Sequence, residues 1–458
     1  MLRNLVSLIK NIDFENLNYK LVDNLYECQK KNTFSVIIGN NGVGKSRFFT
    51  HLIKEVWMKS FNNGLSLIDD SNMSFSKIIA LTSSPFDKFP SIKLFNRYTN
   101  RRHDDTNMNS KYKYLGLKDD MHRLIKANGQ LFKIIDSLVE STTKANSDLK
   151  KLSQTFSLLG YRPRLILCYR FIASSKIIEA FIFADTYEEF LLILEPYSSS
   201  RKYNLLDKMR NDNLLFGKVK KSLEELRHLI FQKDIIFEVS ISDATFIEGS
   251  FELFEKVQLL RDLDLVDFKD LNLWKNDVNT YISIKETSSG ERALLLNILG
   301  LASEIQDNTL ICIDEPEISL HPEWQEKYMK LLTSTFQEYK GCHFVIATHS
   351  PKIISELMLE NCFVLNMDEN ILYKSKEYSK RSSDYQLAML FKSPGSRNEY
   401  LTKECVNILS SLSKKAFLTV ENKIVVDRLI GYLPILEDED PVKEMILIIK
   451  DALGKMNQ

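Results

Sequence analysis

An α/β fold, a mixed sheet with flanking helices, is predicted by three observations. A glycine-rich loop joins an apolar strand to a helix, a second apolar strand closes on two carboxylates, and a third apolar strand leads into a histidine. The run Phe34 to Ile38 reads as the first of these strands, buried and β-branched. Gly39-Asn40-Asn41-Gly42-Val43-Gly44-Lys45-Ser46 follows it directly, and a helix is expected over Arg47 to Trp57. Glycines at these places let backbone N–H groups converge on phosphate oxygens, and the helix N-terminus adds partial positive charge. Lys45 is expected to reach the β and γ phosphates and Ser46 to ligate Mg²⁺. Residues Gly39 to Ser46 and Arg47 are therefore candidate contacts for ATP.

The second strand, Thr309 to Ile313, ends in Asp314 and Glu315. A buried strand normally carries apolar side chains, so a terminal Asp-Glu pair suits a Walker B element. Asp314 would hold the metal shell and Glu315 would polarise the attacking water. The third strand, His343 to Ala347, precedes Thr348 and His349, where a neutral imidazole can hydrogen-bond a γ-phosphate and report its presence.

Between loop and carboxylates lies Thr287-Ser288-Ser289-Gly290-Glu291-Arg292, which opens a helical stretch over Ala293 to Ile305. It resembles the ABC signature motif. Ser288, Ser289, Gly290, Glu291 and the first amides of that helix would form an anion site. Ser288 with Glu291 is equally a capping box that satisfies orphan amides without a ligand. Order and spacing favour the signature: Gly290 precedes Asp314 by 24 residues (314 − 290), and Asp314 precedes His349 by 35 (349 − 314). After the carboxylates, Pro316-Glu317-Ile318-Ser319-Leu320-His321-Pro322 stands where a D-loop belongs, in a form typical of non-transporter ATPases.

With these motifs the chain resembles RecF/SMC-type ABC ATPases, and more narrowly the PtuA-type ATPases of bacterial anti-phage (Septu and retron-associated) systems. The narrower likeness rests on Pro85 to Phe89 after a strand over Lys77 to Leu81, on Ser383 to Leu387, and on Pro394 to Tyr400. It implies an ATPase that binds and hydrolyses ATP between two heads, as a homodimer or higher oligomer, and controls a separate effector nuclease. That effector would be an HNH endonuclease, with a reverse transcriptase and its DNA–RNA product as partners in retron versions. Alternatives are a RecF/SMC-like repair ATPase that clamps DNA, and a nucleotide-binding scaffold without turnover, against which Glu315 speaks. One departure from the family pattern stands out. ABC heads carry a glutamine after the second strand, where this chain reads Thr82-Ser83-Ser84-Pro85-Phe86-Asp87. Asp87 or Ser84 are candidates for the same relay, and a rigid proline turn is the other reading.

The 245 residues from Lys45 to Gly290 (290 − 45) exceed what a minimal head needs, so an insertion is expected to split it. The expected division is 1–118 for the first part of the head, 119–270 for the insertion, 271–378 for the second part, and 379–458 for a helical C-terminal extension. Insertion helices are expected from about Leu117 to Leu158, with Met121, Leu124, Leu131, Ile134, Ile135 and Leu138 as an apolar stripe, but without the sustained heptads of a long coiled coil. Strands are expected over Arg164 to Phe171, Ile177 to Ala184 and Ile235 to Ser242. In the extension, Phe417 to Asn422 looks like the opening of a Toprim nuclease. Glu421 and Asp438 are only 17 apart (438 − 421), against about 30 residues for parallel strands with a crossover helix. No nuclease site is expected, and Pro441 to Gln458 reads as one amphipathic helix capped by Asp440.

The 61 basic and 61 acidic residues cancel, so a nucleic-acid site would have to be local. Lys93, Arg97, Arg101, Arg102, His103, Lys111, Lys113 and Lys118, interleaved with Phe95, Tyr98, Tyr112 and Tyr114, are the candidate; a solvated loop with structural tyrosines is the alternative. Six cysteines without a Cys-x-x-Cys pair exclude a zinc site and a disulfide scaffold. No apolar run approaches the ~18 residues that span a bilayer, and the first thirteen alternate charge too early for a signal peptide, so no membrane contact and a cytoplasmic location are expected.

Overall fold

The computed structural model describes residues 8–23, 26, 31–61, 75–90, 111–118, 129–141, 146–196, 205–206, 209, 212–230, 232, 234–355, 357, 360–413 and 419–456. Contacts divide the chain into two units, Met1–Lys133 with Glu304–Gln458, and Ile134–Ser303. The inserted unit thus runs to 303 rather than 270 and takes the signature helix with it. The reason lies in strand pairing, because the residues after 265 complete the insertion's own sheet.

The first unit begins with a hairpin of β1 (Asn11–Phe14) and β2 (Leu17–Lys20), whose turn residues Glu15 and Asn16 both have positive φ. Its main sheet uses β3 (Thr33–Ile38), β4 (Lys77–Thr82), β5 (Tyr112–Leu115), β11 (Thr309–Asp314), β12 (His343–Ala347), β13 (Cys362–Asn366) and β14 (Ile371–Lys374). The spatial order is β14-β13-β3-β12-β11-β4-β5, parallel throughout except for β14. Strands β3, β4, β11, β12 and β13 are buried at every residue, as expected of parallel strands covered on both faces. The helix after the glycine-rich loop is Lys45–Phe61, longer at both ends than its apolar pattern suggested. Phe48, Phe49, Leu52, Ile53, Val56 and Trp57 bury its inner face against the sheet and hairpin.

Four helices, Ser383–Met389, Glu399–Ser413, Val420–Gly431 and Pro441–Met456, build the C-terminal extension around Leu401, Cys405, Ile408, Leu429, Val442 and Ile446. Asp440 caps the last helix, its Oδ1 accepting from Val442 N at 2.9 Å. Helix Val420–Gly431, capped by Thr419, occupies the place of the Toprim-like opening.

The second unit holds an antiparallel sheet of β6 (Tyr161–Phe171), β7 (Ile235–Ser240), β8 (Thr245–Glu248), β9 (Val266–Lys275) and β10 (Thr280–Ser283), in the order β10-β9-β6-β7-β8. Its helices include Gly129–Ser141, which starts in the first unit, and Asn146–Leu158. The onset expected near Leu117 is not helical, since Leu117 follows β5; Met121 and Leu124 lie outside the described residues. The strand expected over Ile177 to Ala184 is instead the helix Ser175–Phe183. Ser174 accepts from Ile177 N as its N-cap, and burial of Ile177, Ile178, Ala180 and Phe181 follows a helical stripe. Phe181 packs 4.2 Å from Phe190 of the next helix, Tyr187–Leu194, so tertiary packing overrides the β-branched local preference. No described helix is long and apolar enough to cross a membrane.

His343 opens β12 in a fully buried position. Its Nδ1 accepts from Ile9 N at 3.3 Å and its Nε2 lies 2.9 Å from Ser35 Oγ, which itself donates to Leu21 O. The imidazole is therefore neutral with its proton on Nε2. Burial pushes its pKa down to about 3. Between the ordinary histidine value and about 3 the unfolded chain binds a proton that the folded chain refuses, so folding weakens as pH falls through that window, by about 1.4 kcal/mol per unit from this group. Urea denaturation at about pH 7 and about pH 5 should show a smaller acid-induced loss for His343→Gln than for the wild type. An equal loss in both would assign the acid sensitivity elsewhere.

Candidate functional site

Register brings the predicted residues together. Asp314 of β11 lies opposite Ala347 of β12 and Thr82 of β4, and Ala347 lies opposite Ile37 of β3. The glycine-rich loop, the Asp-Glu pair and His349 therefore leave the sheet at one level, at the carboxyl ends of adjacent parallel strands. Open α/β sheets bind ligands along that edge.

Lys45 is buried, and its Nζ donates to Gly39 O at 2.8 Å and Asn40 O at 3.2 Å, two carbonyls of its own loop. Burial lowers its pKa, while Glu315, Asp314, Asp368 and Glu317 pull it back up. Gly44 has φ +109°, a conformation a side chain would strain, and a Cβ there would stand 3.2 Å from the Arg47 guanidinium. Arg47 pairs at 2.9 Å with Glu15 in the β1–β2 turn, with both side chains half exposed.

Asp314 is 2% exposed, and its Oδ1 is buried without a hydrogen-bond partner among the described residues. The Ser46 hydroxyl lies beside the same carboxylate and acts to lower its pKa. Burial raises the Asp314 pKa to about 7 against that effect, with Glu315, Asp87 and Glu317 adding to the rise. An orphaned carboxylate oxygen beside a hydroxyl, in a negative field, fits a hard divalent cation such as Mg²⁺. Glu315 follows with φ +50°, and its N donates to Ala347 O at 2.9 Å. This uncommon backbone turns its carboxylate out of the strand direction, the kind of strain that concentrates at functional sites. Its Oε1 lies 3.8 Å from His349 Nε2. Burial, then Lys45, lowers the His349 pKa to about 4, which keeps the imidazole neutral.

Sequence reasoning quoted Glu317 only as part of a loop. Its carboxylate, half-buried, accepts from Thr348 Oγ1 at 2.9 Å and from His349 N at 2.6 Å, so it fixes the turn that presents His349. A third acid so close to the Asp-Glu pair was the available signal. Gln325 completes the brace, accepting from Ser350 Oγ at 2.8 Å and donating to Leu320 O. His321 caps the helix Pro322–Thr335.

The stretch after β4 is a rigid turn. Ser84 Oγ accepts from Phe86 N and Asp87 Oδ1 from Phe89 N, while Asp87 Oδ2 takes the Tyr114 hydroxyl at 2.9 Å and Lys118 at 3.3 Å. The described half of the basic-aromatic patch contains the edge strand β5, whose two tyrosines make structural hydrogen bonds. Tyr112 is buried and donates to Pro90 O, and Lys113 pairs with Glu304. Lys93 through His103 lie outside the described residues.

In the second unit, Ser289 and Gly290 begin the helix Ser289–Glu304, and Ser288 Oγ accepts from Glu291 N at 3.1 Å. The reciprocal limb of the capping box is absent among the described contacts. Glu291 instead accepts from Tyr161 OH and Lys275 Nζ, each at 2.7 Å. These bonds hold its carboxyl below the usual range although burial works the other way.

A family model described as "AAA domain, putative AbiEii toxin, Type IV TA system" matches residues 146–355, which takes in the signature, Asp314, Glu315 and His349 but not the glycine-rich loop. The chain is 31% identical over 107 residues to the Retron Ec83 probable ATPase of Escherichia coli, covering 21% of this chain and 19% of that one. It is 27% identical over 192 residues to the Retron Vc95 probable ATPase of Vibrio cholerae serotype O1 biovar El Tor, covering 40% and 32%. Protein ea59 of Escherichia phage lambda is 28% identical over 109 residues, covering 23% and 20%. The matched part thus spans less than a third of each of these relatives. Among solved structures, an Smc head bound to the C-winged helix domain of ScpA aligns over 77% of this chain and 93% of that one, at 13% identity and a TM-score of 0.25.

A metal ion held by Asp314 would have to displace the proton that burial keeps on its carboxyl. The Mg²⁺-dependent gain in ATP affinity should therefore fall about tenfold per pH unit below about 7, while affinity in EDTA stays level. Calorimetric titrations with and without Mg²⁺ across that range check this, and Asp314→Asn should erase the Mg²⁺-dependent gain at every pH.

Proposed function

We propose that the protein is an ATPase whose two heads close on ATP and which, as the regulatory subunit of an anti-phage complex, restrains or licenses a separate nuclease. The observation that carries this reading is the convergence of Lys45, Ser46, Asp314, Glu315 and His349 at one edge of a parallel sheet, with a buried carboxylate oxygen left for a cation. In the proposed cycle Lys45 exchanges its loop carbonyls for phosphate oxygens. Ser46 and Asp314 would hold Mg²⁺, which would neutralise phosphate charge when bound. Glu315 orients the attacking water and accepts its proton, and the neutral His349 donates to the γ-phosphate.

Ser289 and Gly290, at the start of a sixteen-residue helix, would offer their amides to the γ-phosphate held by a partner copy, so that ATP tightens a homodimer. The names of the two retron relatives support a place beside a reverse transcriptase and its DNA–RNA product. An HNH endonuclease is the effector proposed on the PtuA resemblance.

Lys45→Ala should weaken ATP binding about a hundredfold or more. Glu315→Gln should keep binding but slow turnover at least about a hundredfold, and leave an ATP-bound dimer visible by sedimentation. If Glu315→Gln hydrolyses ATP at the wild-type rate, the assigned chemistry is wrong. Purification of the Glu315→Gln protein with its genomic neighbours tests the defence role; ATP-dependent dimers carrying neither nuclease nor nucleic acid would refute it.

A further inference from the structure

The turn after β13, Asn366-Met367-Asp368-Glu369, lies against the glycine-rich loop and has no part in the chemistry above. Asp368 Oδ2 accepts from the backbone N of Asn40 at 2.8 Å. The approach is close enough that a Cβ at Gly39 would stand 3.2 Å from that oxygen and 3.5 Å from Met367 Cβ. Met367 N donates to Ile38 O at 2.9 Å, which fixes the turn to the end of β3. Asp368 is held in place in turn, since Asn366 Oδ1 accepts from the backbone N of Asp368 at 2.9 Å and of Glu369 at 3.2 Å.

Asn366 is 1% exposed, and its Nδ2 donates at 2.8 Å to the carbonyl of Leu390, at the end of the helix Ser383–Met389. That helix is anchored to the rest of the C-terminal extension. Tyr432 OH donates to Ala388 O at 2.5 Å, Arg428 donates to the Met389 sulfur, and Asn398 Nδ2 donates to Asp384 O at 3.0 Å. Lys392, just beyond the helix, lies 3.7 Å from the Glu369 carboxylate. A continuous hydrogen-bonded path thus runs from the C-terminal helices through one buried asparagine to the loop that carries Lys45.

We infer that Asp368 is a positioning residue for the phosphate loop, and that Asn366 couples it to the C-terminal helices, so that a shift of those helices changes nucleotide affinity. The inference rests on Lys45 and its loop binding ATP. It assigns Asp368 a role through geometry rather than charge, because a carboxylate this close to bound phosphates repels them while its hydrogen bond orders the loop that receives them. Asn366 has its amide on Leu390 and its carbonyl on the turn, so a movement of Leu390 reaches Asp368 through these bonds. Coupling of this kind is carried by discrete hydrogen-bonded contacts and is measured by the effect of one end on affinity at the other.

The test is ATP affinity of full-length variants by calorimetry, with thermal melting to confirm folding. Asp368→Ala should weaken ATP about fivefold to tenfold, the value of one ordinary hydrogen bond. Asp368→Asn, which keeps an acceptor and removes the charge, should bind at least as tightly as the wild type. Asn366→Ala should reproduce the loss, and the double variant Asn366→Ala with Asp368→Ala should lose no more than Asp368→Ala alone. Wild-type affinity in Asp368→Ala, equal losses in Asp368→Asn and Asp368→Ala, or additive losses in the double variant would each overturn the inference. Lys45→Ala serves as the reference. Loss of ATP binding there, with Asp368→Ala unchanged, refutes only this coupling, whereas unchanged binding in Lys45→Ala refutes the nucleotide site itself.

Discussion

The register of β11 between β4 and β12 is the constraint on which the rest of the site depends. Every side chain on these strands is buried, so the apolar pattern admits one alignment, and a slip by one residue would turn Asp314 into the packed layer beside Cys312 and Ile313. In the observed alignment the carboxylate emerges at the end of the sheet beside Ser46. It remains costly to keep there. A carboxyl that is almost wholly buried holds its proton to about pH 7 and leaves one oxygen unsatisfied. The fold bears that cost at a place where a cation would offset it.

Around this oxygen the charges are unequal. Lys45 faces Asp314, Glu315, Glu317 and Asp368, and Lys45 is itself depressed by burial. Glu317 is raised by burial, and the hydrogen bonds from His349 N and Thr348 that oppose this rise are the same ones that fix the histidine turn. An excess of carboxylates gathered at one sheet edge disfavours a bare phosphate and favours a phosphate that arrives with a metal ion. Such a charge balance supports the metal–nucleotide complex proposed for the site over a free anion.

The residues that sequence motifs alone would assign to one head fall in two units. The glycine-rich loop, Asp314, Glu315 and His349 belong to the larger unit, whereas Ser289 and Gly290 belong to a unit with its own antiparallel sheet. Glu291 ties the start of the signature helix to that sheet through Tyr161 on β6 and Lys275 on β9.

The sequence by itself determined the strands that hold the chemistry and the residues at their ends. Local patterns specify such features: an apolar run of five or six residues, glycines in fixed positions, a polar group where burial stops. The cap at Asp440 was legible for the same reason, since it involves neighbours only two residues apart. Tertiary structure decided what depends on partners far along the chain. The run from Ile177 is helical because Phe181 meets Phe190 and Phe216, although its β-branched composition suits a strand. The tyrosines of β5 became structural because Asp87 and Pro90 accept their hydroxyls. Asp368 carried no local signal at all, since its role exists only where β13 pairs with β3 and brings position 368 to the backbone of Asn40, 328 residues away in sequence.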